Sequence, residues 1–304
     1  MSTFNCTYVP TTVESNSSIA GVGVLLSFIL TAGASILMSG IIILKENRKK
    51  KVQVIRKMLL SFSDQQIITG IGLQGLGLIE VKNLAPYHFF ILWMLSLLST
   101  VTHINTLLAL VNDFKGDWVM RWIRQSFMFI NLVLSVSCGI LLLMVVVKDL
   151  EPTLPIACVW EVPSTSTPPD VWISITGTIA VIAGQGIFFI VSVWYLHVKE
   201  RRQIFLIQST GLVVFTAVGM GAAARVLLVS HAFGTPSVLL SDNGEKLWDF
   251  GQLLSMLLLI LPLISAIELM REVTDESNNY NNQPSAKIER SQTFVPFEPN
   301  PFWG

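Results

Sequence analysis

Only a few side chains in the long apolar stretches of this 304-residue chain have acid–base or ionic chemistry. Among them, Asp64, Glu80, His88, His103, Arg225 and Asp249 lie within or at the ends of those stretches. A carboxylic acid in an apolar pocket has its pKa raised by desolvation and can donate a proton near neutral pH. Glu80, Asp249 and Asp64 are the candidate acids. Arg225 needs a carboxylate partner, because an unpaired charge at membrane depth is expensive. Asp249, on the next stretch, is the expected partner, either as a structural ion pair or as part of a site. Gln252 follows Asp249 at i+3, on the same helix face. His88, Trp93, Arg225, Gln252 and Gln185 are the candidate substrate contacts. The polar groups would orient a ligand, and aromatic faces would line a cavity or steady a cation.

A second polar set consists of Asp64, Gln66, His103, Asn105, Thr106 and Asn131. Interhelical hydrogen bonds of this kind contribute on the order of 1 kcal/mol each in lipid, and a network that only ties helices together is the favoured reading of this set. Asp64-Gln65-Gln66 also suits a helix N-terminus, where a carboxylate caps free N–H groups. No CxxC, HExxH or His/Cys cluster suggests a metal, and no cofactor is expected. No DDxxD or DxDD occurs.

Seven apolar stretches must position these residues. A bilayer core takes roughly 20 residues of helix, and charges bound such runs at 19–44, 64–81, 87–111, 125–147, 171–198, 203–229 and 247–270. The spacing predicts an all-α, seven-transmembrane bundle at 19–270, between an outer segment at 1–18 and a disordered cytosolic tail at 271–304. Glycines 70, 72, 75 and 77 in the second run, Gly177 and Gly184 in the fifth, and Gly219 with Ala222 to Ala224 in the sixth are expected to let helices approach.

Hydrophobic residues make up 52% of the chain and charged ones 13%, which excludes an ordinary soluble domain or a nucleic-acid binder. Mean hydropathy is +0.62. The net charge is zero, but the charges are segregated. Sixteen Lys and Arg residues fall on one side of the alternating loops and three on the other. The positive-inside rule then puts the N-terminus outside or in a lumen and the C-terminus in the cytosol. The protein is expected to be multi-pass, in the endoplasmic reticulum or plasma membrane. The sequons at Asn5 and Asn16 fall on the non-cytosolic side, with Asn5 the better glycosylation acceptor. Cys6 and Cys158 share that oxidising side, where a bridge between them and two free thiols both fit.

Phe62-Ser63-Asp64-Gln65-Gln66-Ile67-Ile68-Thr69-Gly70-Ile71 resembles a motif of a family of filamentous-fungal polytopic membrane proteins. Ser99-Thr100-Val101-Thr102-His103 resembles a second motif. Phe250-Gly251-Gln252, with Leu261-Pro262 and Glu268, resembles the family's last span. Some similar proteins in fungal biosynthetic clusters are membrane-bound terpene cyclases of meroterpenoid pathways. The resemblance implies an isomerase- or lyase-type cyclase in secondary metabolism. Its substrate would be an apolar prenylated small molecule taken from the lipid bilayer, with other biosynthetic enzymes as partners. It transfers no residue roles. A seven-span receptor fits the same topology, although Val111-Asn112-Asp113-Phe114 is not an E/DRY motif and the seventh run has no NPxxY. A transporter fits less well, since no internal repeat is visible.

Overall fold

The computed structural model describes residues 6–47, 53–116, 118–162, 171–197, 204–268 and 270–271. Two units are distinguished, 1–266 and 267–304. Nearly all of the tail expected at 271–304, and Asn5 with it, lie outside the described residues.

Among the described residues, α-helices follow in chain order: α1 (Ser17–Ala20), α2 (Val22–Asn47), α3 (Gln53–Ile79), α4 (Pro86–Ala109), α5 (Val111–Gly116), α6 (Trp118–Val147), α7 (Trp172–His197), α8 (Ile204–Val229) and α9 (Phe250–Leu257), and residues 260–268 are helical as well. Short 3-10 turns occupy Ile156–Trp160 and Gly244–Lys246. The β content of the described residues is one isolated bridge, between Val13 and Leu240. Among the described residues, six helical stretches are long and apolar enough to cross a membrane: Ser17–Lys45, Pro86–Ala109, Trp118–Val147, Trp172–His197, Phe205–Val229 and Gly244–Glu268. The protein is an all-helical, multi-pass membrane bundle.

Helix α3 is not among the six, although it has 27 residues. It also begins at Gln53, well before the expected start of the second run at residue 64, which places Asp64 in mid-helix. The helix-cap reading of Asp64 is thereby corrected. The basic residues Arg56 and Lys57 do not stop the helix because they lie on its first turns, where a side chain reaches polar surroundings.

Helix α4 forms the axis. Pro86 opens it at a position where the missing N–H is no loss, and nearly every residue from Pro86 to Ala109 is buried. It packs against α2, α3, α6 and α8. Helix α7 packs mainly on α6, and α9 packs on α2 and α1. Near the start of α4, Phe89, Ile91, Leu92 and Leu95 are all fully buried in the core. The outward faces of α7 and α8 carry Ile173, Ile187, Ile190, Leu206, Val213 and Met220, all exposed. Exposed aliphatic faces of this size suit lipid rather than water.

Glycines fit this packing selectively. A Cβ on Gly70 would lie 2.8 Å from Ser99 Oγ, and one on Gly77 would collide with Leu92. A Cβ on Gly219 would meet Val101 at 3.2 Å. Gly72, Gly75 and Gly177 face open space, and Gly184 meets only Phe188 of its own helix. The expectation of close helix approach is corrected for these four.

The ends of the helices nearest the N-terminal segment are stitched together. Cys6 and Cys158 form a disulfide. Ile156 N–H donates to Leu84 O at 2.9 Å and Ala157 N–H to Val81 O at 3.1 Å, folding the 148–162 loop onto the α3–α4 turn. Ser15 and Ser17 hydroxyls donate to Asp242 and Asp249.

Candidate functional site

Two polar networks and one apolar cleft are the candidate sites. The first network centres on Glu245, whose side chain is fully buried on the short turn before α9. It accepts a hydrogen bond from Tyr87 Oη at 2.8 Å and lies 2.9 Å from His88 Nε2. Tyr87 Oη in turn accepts from His231 N–H at 2.7 Å. A buried carboxylate requires such partners, and the first turn of α4 supplies two of them at consecutive positions.

His88 therefore pairs with Glu245, a residue that sequence reasoning missed. Glu245 stands in a polar loop, and no periodicity marks it as buried. The expected Arg225–Asp249 pair is corrected as well. Arg225 is exposed on α8, and its long side chain can reach a polar boundary. Asp249 is the N-cap of α9, accepting from Gln252 N–H at 2.8 Å and from the Ser17 hydroxyl. Gln252 is fully buried; it accepts from Gly23 N–H at 3.1 Å and donates to Leu247 O at 2.8 Å. It fills the space left by Gly21 and Gly23, where any Cβ would strike it. Gln252 thus fastens α9 to α2. Glu80 is half-buried in the turn after α3, where its carbonyl accepts from Asn83 and Leu84 N–H groups. Asn16 is half-buried, and its carbonyl accepts from the Ile19 and Ala20 N–H groups of α1. Outside the spans, the Ser15 hydroxyl and then the Gly244 N–H hold the Asp242 carboxyl below the usual carboxylate range.

The second network runs along α3, α4 and α6. Gln66 donates to Phe28 O at 3.2 Å and accepts from Thr102 Oγ1 at 2.7 Å. Gln74 donates to Asn131 Oδ1 at 2.8 Å, and Asn131 donates to Thr100 Oγ1 at 3.2 Å. Ser96 and Ser135 hydroxyls are 2.8 Å apart. Asp64 forms an ion pair with Arg124, which also donates to Ser63 Oγ at 3.0 Å and lies over the Phe114 ring. Charge-bounded runs leave Arg124 in a loop, yet α6 starts at Trp118 and buries it. Thr106 donates to Thr102 O within α4. His103 Nδ1 and both amide atoms of Asn105 are buried without a hydrogen-bond partner among the described residues.

The cleft lies between α7 and α8, which barely touch, and α4 forms its floor. Its volume is about 350 Å³. Ile104 and Leu108 line the floor; Phe188, Ser192, Trp194 and Tyr195 line one wall; Leu206, Thr210, Gly211, Val214 and Phe215 line the other. Among the described residues, no charged side chain lines it. Trp194, Leu206 and Val214 are also exposed, so the cleft opens toward the lipid-facing surface. Periodicity alone could not reveal it, because the gap depends on how α7 and α8 diverge after leaving their common floor.

Trp93 and Gln185 lie in the core near the α6–α7 contact. The Cβ position of Gly139 is 2.8 Å from Ile182 and 3.1 Å from Trp93. Gln185, one turn past Ile182, is 3% exposed. Both its amide atoms and Trp93 Nε1 lack partners among the described residues. Among the described residues no group of His, Cys, Asp and Glu has the geometry to hold a metal ion.

No family model, curated protein or solved structure matches the chain.

Proposed function

We propose that this protein spans the membrane seven times and binds a neutral prenylated ligand drawn from the bilayer into the α7–α8 cleft, in the manner of a receptor. Helix α3 would supply the seventh span. Its 27 residues extend about 40 Å at 1.5 Å per residue, against a hydrocarbon core of about 30 Å. Its polar side chains are directed at α2, α4 and α6 through the Gln66, Gln74 and Asp64 contacts, which explains its low hydropathy. The N-terminus would be non-cytosolic, in the plasma membrane or endoplasmic reticulum. The sixteen-to-three bias of basic residues supports that orientation, as does the Cys6–Cys158 bridge, which lies at the opposite helix ends from Lys45, Arg56, Lys57 and Arg124. Asn5 would be the glycan acceptor.

The cleft carries the ligand reading. Its volume is at the small end of ligand pockets, about 300–1,000 Å³, too little for a complete two-chain lipid. The lining, uncharged among the described residues, favours a neutral molecule, and the rings of Phe188, Trp194, Tyr195 and Phe215 suit a branched, unsaturated chain.

The same rings support a second reading, the terpene cyclase that the sequence resemblance implies, since aromatic faces steady a carbocation. Acid-initiated cyclisation also needs a carboxyl beside the substrate. Glu80, Asp64 and Asp249 do not line the cleft, and Asp64 and Asp249 are engaged elsewhere. The receptor-type reading is therefore preferred.

Binding of a tritiated farnesyl-phenol to the protein in nanodiscs tests the proposal. Val214→Trp, which fills the cleft from its lipid-facing wall, is expected to weaken saturable binding about tenfold or more. Saturable binding unaffected by Val214→Trp would reject the cleft. Turnover of the probe by wild type, lost in one amide variant of Glu80, Asp64 or Asp249, would favour the cyclase.

A further inference from the structure

The cleft ends at a pair of rings. On α7 the lining residues begin at Phe188, and on the antiparallel α8 they end at Phe215. These two side chains meet edge to face, with centroids 4.7 Å apart. They bound the cleft at that end.

Gln185 lies one turn beyond these rings. Positions 185, 188, 192 and 195 recur at i, i+3, i+7 and i+10, one face of α7. Phe188, Ser192 and Tyr195 of that face line the cleft, and Gln185 continues the row into the core. A buried amide normally finds partners for its donor and its acceptor, because leaving them unmet at membrane depth is costly. Both amide atoms of Gln185 are unmet among the described residues, and so is the indole N–H of Trp93 near the same α6–α7 contact. Packing needs no amide here: leucine would fill similar volume without the desolvation penalty.

We infer that the ligand carries a terminal hydroxyl or carbonyl oxygen, and that Gln185 receives this oxygen when the Phe188 and Phe215 rings part. The inference rests on the cleft being the ligand site. The hydrocarbon body stays between α7 and α8, and the oxygen end passes the rings. The Gln185 amide can donate to a carbonyl or both donate to and accept from a hydroxyl. Specificity follows from the site's own unmet groups: a ligand lacking the oxygen leaves them unpaired.

Farnesol and farnesene, a matched alcohol and hydrocarbon, provide the test. Each competes with the tritiated farnesyl-phenol on the full chain in nanodiscs, at equal mole fraction in the lipid. Wild type is expected to prefer farnesol by about tenfold, the effect of one well-made hydrogen bond to a buried group. Gln185→Leu is expected to abolish the preference while leaving farnesene competition unchanged, which also reports that the variant is folded. Equal competition by the two compounds in wild type, or a preference that survives Gln185→Leu, would overturn the inference and leave the cleft reading intact. Failure of both compounds to compete in wild type would overturn the cleft reading and this inference together.

Discussion

Glu245 and Asp249 are close in sequence, yet burial gives them different roles. Glu245 is enclosed and serves Tyr87 and His88, whereas Asp249 caps a helix at an exposed position. Disrupting the buried Glu245 carboxyl leaves the groups hydrogen-bonded to it unmet, at about 1–3 kcal/mol for each. Removing an N-cap typically costs about 1 kcal/mol. Glu245→Gln should therefore lower the thermal midpoint of the detergent-solubilised protein several times more than Asp249→Ala. Equal shifts would show that the Glu245 contacts do not hold the helix ends together. The sequence announces His88 and Asp249 as polar residues at span ends, but not their partners. Depth alone pairs Arg225 with Asp249, and depth does not fix the direction in which a side chain leaves its helix. Gln252 is legible as a neighbour of Asp249, while its role in filling the space above Gly21 and Gly23 depends on the approach of α9 to α2.

At the scale of elements, α4 and α3 show what hydropathy can and cannot read. Pro86 and an unbroken apolar run make α4 evident in the sequence, and its central position accounts for the burial of Ser96, Ser99 and Thr102 along with its aliphatic residues. Helix α3 looks short when charge is read as a boundary, although Arg56 is paired with Asp113 and Asp64 with Arg124. Paired charges do not end a helix. The α3 glycines look alike in sequence, but only those whose Cβ would strike a neighbour are packing positions. Gly70→Ala should destabilise by about 1–3 kcal/mol, because Ser99 is itself held to Gln66 O and cannot yield freely. Gly72→Ala should be neutral or stabilising by up to about 1 kcal/mol, since it faces open space and alanine favours helix. Chemical unfolding in mixed micelles would compare the two, and equal effects would contradict the α3–α4 contact.

The whole molecule combines a tied end with an open flank. The Cys6–Cys158 disulfide ties the N-terminal segment to the 148–162 loop. The Val13–Leu240 bridge and the Ser15 and Ser17 contacts tie it to the segment between α8 and α9. Among the described residues, helices α7 and α8 have no comparable tie to each other, and the cleft lies between them. That division suits a protein whose ligand arrives sideways from lipid while its loop end stays fixed. The overall zero charge conceals the basic bias, which the order of residues makes visible; the cleft requires the packed helices. Its most direct test is photolabelling in native membranes with a diazirine-bearing farnesyl probe, followed by peptide mapping. Labelling that unlabelled farnesol competes away should concentrate on α7 at 188–195 and α8 at 206–215. Labelling spread over the exposed faces of every helix, with no competition by farnesol, would contradict a ligand site in the cleft.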